Sequence, residues 1–510
     1  MGKANAAADD APSPVEAEAA RLAQEAGVAI ASLVAGISEF RAAAIPETDI
    51  VNRVRGAADE LAKLRASLAP DAGGWPGLAS IRAQTLAFID GGDFGAASAA
   101  LERGFEAIAT DAGDRRRDKA EIYAAAATID HLRLDYCAAA EKYAAALALV
   151  EASGGEGFDG KAAWRFCMDE AREYFADGCE FGHWASFPKA IECCQRALGL
   201  ICRTETPRDW AVTQFHLGNA LLASCTCDND ADRLEQAVDA YLAALEEWTS
   251  EGAPMEWASA QNNLGDALRS LGEGEGGLER LSPAVDAYRA ALQQWTPDGD
   301  PALWAMAQAN LGDALSVIGL RSGDKAPLRD AIAAYQAALE ATSREAAPLD
   351  WAMMQNNLGN ALEALGEQEG GADRIGEAIA AYKAALEERT RDRAPSAFAT
   401  TANNLGNALL ALGERGGGEK ILEEAAGAYR AALEERSKEG APLEAAKIQI
   451  NLAYALGAIW NRTQRPRMLE EAIAMLDAAI AAFKEAGERQ PLPDAGLARQ
   501  AFVSALNRAA

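Results

Sequence analysis

Residues 257–268 read WASAQNNLGDAL, a stretch too polar at its centre for an ordinary core helix and too regular for a loop. The phrase returns as WAMAQANLGDAL at 304–315, WAMMQNNLGNAL at 351–362 and FATTANNLGNAL at 398–409, each 47 residues after the last. Other positions keep the same count. A glycine recurs at Gly218, Gly265, Gly312, Gly359 and Gly406, a tyrosine at Tyr241, Tyr288, Tyr335, Tyr382 and Tyr429, and a proline from Pro207 to Pro442. Several registers held together without slippage mark an array of structural repeats.

Each repeat reads as two helices. Pro254 opens the first, where a missing N–H costs nothing, and Trp257, Gln261, Leu264, Leu268 and Leu271 make its buried stripe. Gly272 is expected to stop it, with GEGEGG at 272–277 as a loop. In the second helix Leu281, Ala284, Val285, Tyr288, Ala291, Leu292 and Trp295 share a face, after a Ser282-Pro283 start. A glycine in mid-helix beside a large tyrosine predicts a close helix crossing.

The Leu-Gly pairs, such as Leu264-Gly265 and Leu358-Gly359, and the second-helix pattern Ala237, Tyr241, Ala244 resemble the tetratricopeptide repeat. That resemblance implies an all-α solenoid, a right-handed superhelix of helix-turn-helix repeats closed by helical N- and C-terminal caps. The family's repeat is about 34 residues long. The extra residues here are assigned to the loop inside the hairpin and to the second helix and its exit.

The chain is accordingly divided into a disordered tail at 1–14, a helical cap at 15–74 and two shorter repeats at 75–150. A degenerate 47-residue repeat follows at 160–206, then six regular repeats at 207–490 and a capping helix at 491–510. At the far end Ala453 and Tyr454 replace the Gly-Asn pair, as expected where a terminal repeat must meet water.

Opposite the leucine stripe, Ser259, Asn263, Asp266 and Ser270 share one face of the first helix. In the resembled family this face lines the concave groove. Asn263 recurs as Asn310, Asn357, Asn404 and Asn451, with His216 ahead of them. A second row follows three residues on, at Asn219, Asp266, Asp313, Asn360 and Asn407. A carboxamide both donates and accepts, so such a ladder suits the backbone of an extended peptide. The same side chains also suit bonds between neighbouring helices that fix the pitch of the array, and Asn262, Asn356 and Asn403 fit solvent or inter-repeat contacts.

Some family members grip a chain terminus with basic residues on this face. Here the position four before each ladder residue holds Val212, Ser259, Met306, Met353 and Thr400, and only Lys447 is basic. Asp266 and Asp313 instead favour a ligand carrying Lys or Arg, with Met306 and Met353 as adaptable apolar contacts.

Forty-eight basic against 77 acidic residues give a net charge of −29, which repels nucleic acid and anionic membrane. No apolar run of about 18 residues or more and no leader-like start is present, so a cytoplasmic protein is expected. All three histidines and all eight cysteines fall within 131–227, which keeps a metal or redox protein as a minor alternative. Gly272, Gly274 and Gly277 spell a dinucleotide motif without its strand, and Asp228, Asp230 and Asp232 begin a calcium loop that lacks its glycine at Arg233.

The reading is therefore a non-catalytic scaffold or adaptor for a protein or peptide, without cofactor and with its oligomeric state open. A regulatory or sensor subunit of a signalling or defence complex, acting through its outer surface or by oligomerisation, is the alternative.

Overall fold

The computed structural model describes residues 14–26, 28–29, 31–35, 37, 47–69, 79–109, 115–155, 158–225, 230–488 and 492–509. Among them every extended element is a helix, and the architecture is a tetratricopeptide-like α-solenoid. No described helix is long and apolar enough to cross a membrane. The chain divides into two compact units, 1–267 and 268–510, the division falling within one helix, Pro254–Leu271.

In the first unit, α1 (Pro14–Ala26) and α2 (Glu47–Leu68) share one apolar core with the hairpin α3 (Ala79–Asp90) and α4 (Phe94–Ala109) and with α5 (Arg116–Leu132). Leu22, Val54, Leu61, Phe94, Leu101 and Ile129 are all buried in it. Helix α6 (Tyr136–Ala152) completes the next hairpin. Two more follow, α7 (Ala162–Phe181) with α8 (Ser186–Gly199) and α9 (Pro207–Ser224) with α10 (Ala231–Leu245), and then α11 (Pro254–Leu271).

The second unit continues with α12 (Leu278–Ala291) and the hairpins α13 (Pro301–Ser322) with α14 (Lys325–Ala341) and α15 (Pro348–Glu369) with α16 (Ala372–Glu388). The pairs α17 (Pro395–Leu412) with α18 (Glu419–Lys438) and α19 (Pro442–Thr463) with α20 (Pro466–Glu485) precede the closing helix α21 (Leu492–Ala509). The recurring prolines open the first helix of each regular hairpin.

Glycine and tyrosine fix the spacing within a hairpin. A Cβ at Gly218, Gly312, Gly359 or Gly406 would stand 2.6 to 2.8 Å from a ring carbon of Tyr241, Tyr335, Tyr382 or Tyr429 respectively. Each of these rings is buried. The glycine thus lets the aromatic ring lie flat against the first helix at packing density no other residue permits.

Three local expectations are corrected. Gly319 and Gly366, the equivalents of Gly272, do not end their helices, which run on to Ser322 and Glu369. A Cβ at Gly272, Gly319 or Gly366 would meet Leu281, Leu328 or Ile375 at 2.6 to 2.9 Å, so these glycines are second close approaches; left-handed Gly323 and Gly370, φ +71° and +69°, make the stops. Consequently the residues assigned to a long hairpin loop are wound into helix, leaving only Gly323-Asp324 and Gly370-Gly371 as connections. After α11 the chain kinks through Gly272–Gly276, where Gly274 leaves the helical region (φ −76°, ψ −114°), and α12 starts at Leu278 with Pro283 inside it.

Candidate functional site

The polar face is built by a repeated three-residue contact. The second-row side chain of one repeat takes a hydrogen bond from its own repeat's tyrosine and another from the ladder asparagine of the next. Tyr241 donates to Asn219 at 2.8 Å and Asn263 Nδ2 donates to the same oxygen at 2.9 Å. Asp313 accepts from Tyr335 at 2.5 Å and from Asn357 at 3.1 Å. Asn404 donates to Asn360 at 3.1 Å and Asn451 to Asn407 at 3.4 Å, while Tyr382 and Tyr429 donate to the same two acceptors at 2.7 Å.

The Asn-Asn doublets add a further link. Asn404 and Asn451 also donate to Asn356 and Asn403, at 3.3 and 3.1 Å. Among the described residues all these bonds of Asn404 and Asn451 use Nδ2, which leaves carbonyl oxygen as what they offer to anything else.

Four ladder residues meet in one cavity of about 450 Å³ in the second unit: Asn360, Asn404, Asn407 and Asn451. Glu363, Glu367 and Glu414 line it with them, and Leu320, Leu410 and Ala411 supply apolar wall. The glutamates are a component that the ladder reading missed. Their signal was present, since Glu367 and Glu414 stand one period apart and seven residues after Asn360 and Asn407. Seven residues are two helical turns, so the carboxylates share the asparagine face.

Glu363 is the most perturbed of these acids. Burial pushes its carboxyl up to about 7, the Tyr382 hydrogen bond pulls it down, and the charge of Glu367 adds to the rise. The Tyr382 hydroxyl lies 2.8 Å from Glu363 Oε2 and 2.7 Å from Asn360 Oδ1, yet has one hydrogen to give. With Glu363 protonated both contacts are satisfied at once. Between the ordinary value of 4.5 and about 7 the folded chain therefore holds a proton that the unfolded chain does not, so this group's contribution to stability declines as pH rises through that window. Glu363→Gln is expected to remove this decline; thermal melts across the window in which the variant shows the wild-type slope would refute the assignment.

The remaining candidates lie outside this cavity. Asn310 and Asp266 are half-buried on α13 and α11, and His216 is half-buried on α9. Burial, with the charge of Arg172, pushes the His216 ring down to about 4, so it is neutral at physiological pH. Met306 and Met353 are exposed beside the ladder.

The cysteine and histidine cluster resolves into local contacts. Cys167 donates to the Cys193 carbonyl at 3.0 Å and Cys225 to that of Leu221 at 3.2 Å. Burial pushes the Cys194 thiol up to about 12. His131 lies 3.0 Å from Glu173, and His183 3.0 Å from Asp177. Among the described residues no three His, Cys, Asp or Glu side chains converge to hold a metal ion. Cys227 and Asp228 lie outside the described residues, and Asp230 caps α10 by accepting from the Arg233 N–H.

Residues 398–437 match the tetratricopeptide repeat family. The common 47-residue register makes the neighbouring hairpins repeats of the same kind. No curated protein matches the sequence. Among solved structures, the apo form of the quorum sensor NprR from B. thuringiensis is similar at 14% identity and a TM-score of 0.40, covering 84% of this chain and 100% of that one. The C-terminal part of a TPR repeat-containing protein from Cytophaga hutchinsonii is similar at 13% identity and 0.38, covering 65% and 98%. A Rap protein complexed with Competence and Sporulation Factor is similar at 11% identity and 0.35, covering 82% and 99%.

Proposed function

We propose that this chain is a non-catalytic scaffold that binds an extended peptide or partner protein along the polar face of its first helices, with a Lys or Arg side chain of the ligand in the cavity formed by Asn360, Asn404, Asn407 and Asn451. The observation that carries the reading is the joining of Glu363, Glu367 and Glu414 to these asparagines around one opening of about 450 Å³. The amide hydrogens of Asn404 and Asn451 are used between repeats, so these two offer carbonyl oxygens, while Asn360 and Asn407 accept through Oδ1 and offer amide hydrogens; the three carboxylates are what call for a cationic ligand.

A basic side chain fits this chemistry in two parts. Its charged head finds carboxylates and carbonyl oxygens, and its methylene stem finds Leu320, Leu410 and Ala411. Specificity for the backbone is then secondary to the charge, and the ladder serves the repeat spacing and the ligand together. The cavity is acidic in a chain of net charge −29, which speeds encounter with basic partners and makes binding sensitive to salt.

Selection from a displayed library of short random peptides tests this. The expected outcome is enrichment of Lys and Arg, with affinity lowered at least about tenfold, or about 1.4 kcal/mol, in the triple variant Glu363→Gln, Glu367→Gln, Glu414→Gln. Binding should also weaken as the pH is lowered through 7, since protonation removes the Glu363 charge. Peptides without basic residues, or a triple variant that binds as the wild type does, would overturn the reading.

A further inference from the structure

The 47-residue count extends backward into the degenerate repeat, where Asp169 stands one period before His216 and Arg172 one period before Asn219. There the two carboxamide rows are replaced by an ion pair, Arg172 to Asp169 at 2.9 Å. Helix α2, which belongs to no repeat, lines the other side and closes this part of the face into a chamber of about 530 Å³. That volume is in the range of small-molecule sites.

The chamber has a defined chemical layout. Trp164, Tyr143 and Phe166 form aromatic wall. Trp164 is fixed by its Nε1–H, which donates to Thr213 at 2.9 Å. Acids and bases differ in exposure. The acids Asp169, Glu121 and Glu60 have side-chain exposures of 22, 33 and 37%, whereas the bases Arg172, Arg165 and Lys63 have 50, 51 and 71%. Each acid is less exposed than the base it touches, Asp169 beside Arg172 at 2.9 Å and Glu60 beside Lys63 at 2.7 Å. Burial pushes the Asp169 carboxyl up to about 6 against the pull of Arg172 and Arg165.

A ligand of one sign would face a like charge beside each partner, because Asp169 and Arg172 stand 2.9 Å apart. A molecule that carries an ammonium and a carboxylate on one carbon can set each against the opposite member of that pair. We propose that the chamber binds a small aromatic zwitterion of the amino-acid kind, its ammonium directed to Asp169, its carboxylate to Arg172 and Lys63, and its ring against Trp164 and Tyr143. The ring faces would add attraction to the ammonium as well as contact area. This site is independent of the peptide-binding cavity, which is lined by other residues in the second unit.

Calorimetric titration of the full chain at mildly alkaline pH with phenylalanine, phenethylamine and 3-phenylpropionate separates the possibilities. Phenylalanine is expected to bind at least tenfold more tightly than either singly charged analogue. Asp169→Asn should lower that affinity at least tenfold, and Asn404→Ala should leave it unchanged. Lys63→Gln, which removes an exposed cation assigned to the ligand carboxylate, provides a second reading of a few-fold loss should Asp169→Asn fail to fold. Absence of phenylalanine binding, equal binding of all three probes, tighter binding of either analogue, or wild-type affinity in a folded Asp169→Asn protein would overturn the proposal.

Discussion

Tyr382→Ala is expected to lower the stability of the second unit by about 3–5 kcal/mol, the cost of emptying a fully buried aromatic site. Tyr382→Phe keeps the ring and loses only the hydroxyl, so its cost is expected at about 1–2 kcal/mol. The difference separates packing against Gly359 from the hydroxyl's contacts with Asn360 and Glu363. Asn404→Ala removes the other donor to the same oxygen. Because Tyr382 and Asn404 converge on Asn360 Oδ1, the double variant should depart from the sum of the single effects by about 0.5 kcal/mol or more. Denaturant unfolding read together with hydrogen exchange over 348–388 measures all four proteins. Strict additivity would show that the asparagine ladder does not act through the tyrosines, and would free it entirely for ligand binding.

This coupling marks how far the sequence could be read. The period, the hairpins and the Gly-Tyr crossing were legible because each rests on a local spacing repeated without slippage. Helix ends were less legible: α11 does end before Gly272, but its equivalents Gly319 and Gly366 lie inside helices, because a glycine can serve a close approach as readily as a turn and the sequence alone does not say which neighbour is near. The polar face was legible as a row and not as a set of bonds. Whether Asn404 points at a ligand or at Asn360 depends on the rotation between adjacent hairpins, which no single repeat encodes.

One further pattern was available and went unread. Arg203, Arg344 and Arg391 fall on the period and lie over Trp210, Trp351 and Phe398 at 4.7, 4.7 and 5.1 Å. Each also pairs with two glutamates of the following repeat, Arg344 with Glu387 and Glu388 at 2.7 Å. Where the arginine is replaced, at Ser250 and Pro297, the acid pair is absent too, as Gln293-Gln294 and Glu340-Ala341. Matched loss of both partners is what a contact predicts, whereas a solvated charge run would vary independently. The acidic cavity around Asn404 was missed for a related reason: Glu363 breaks the period, and its importance comes from burial beside Tyr382 rather than from recurrence.

Removing residues 492–510 is expected to destabilise the last hairpin first. Phe502 of α21 packs where Gly457 leaves a notch, since a Cβ at that glycine would lie 2.6 Å from the ring. Arg499 pairs with Asp477 on the exposed side of the same contact. Phe502 is half-buried, so loss of its contact alone is worth less than the ~1.5–3 kcal/mol of a fully buried ring, and the truncation uncovers more of α19 and α20 than that one ring does. In a solenoid each hairpin is stabilised by its neighbours, so the effect should decay along the chain. Hydrogen-exchange protection is expected to fall over 442–485 and to persist over 301–341. Asn451 sits on α19, at one edge of the acidic cavity, so affinity for basic peptides should fall with it. The point variant Phe502→Ala should give the same spatial pattern at smaller amplitude. A uniform loss of protection over the second unit would mean that it unfolds as one body, and unchanged protection would mean that α21 does not cap the array.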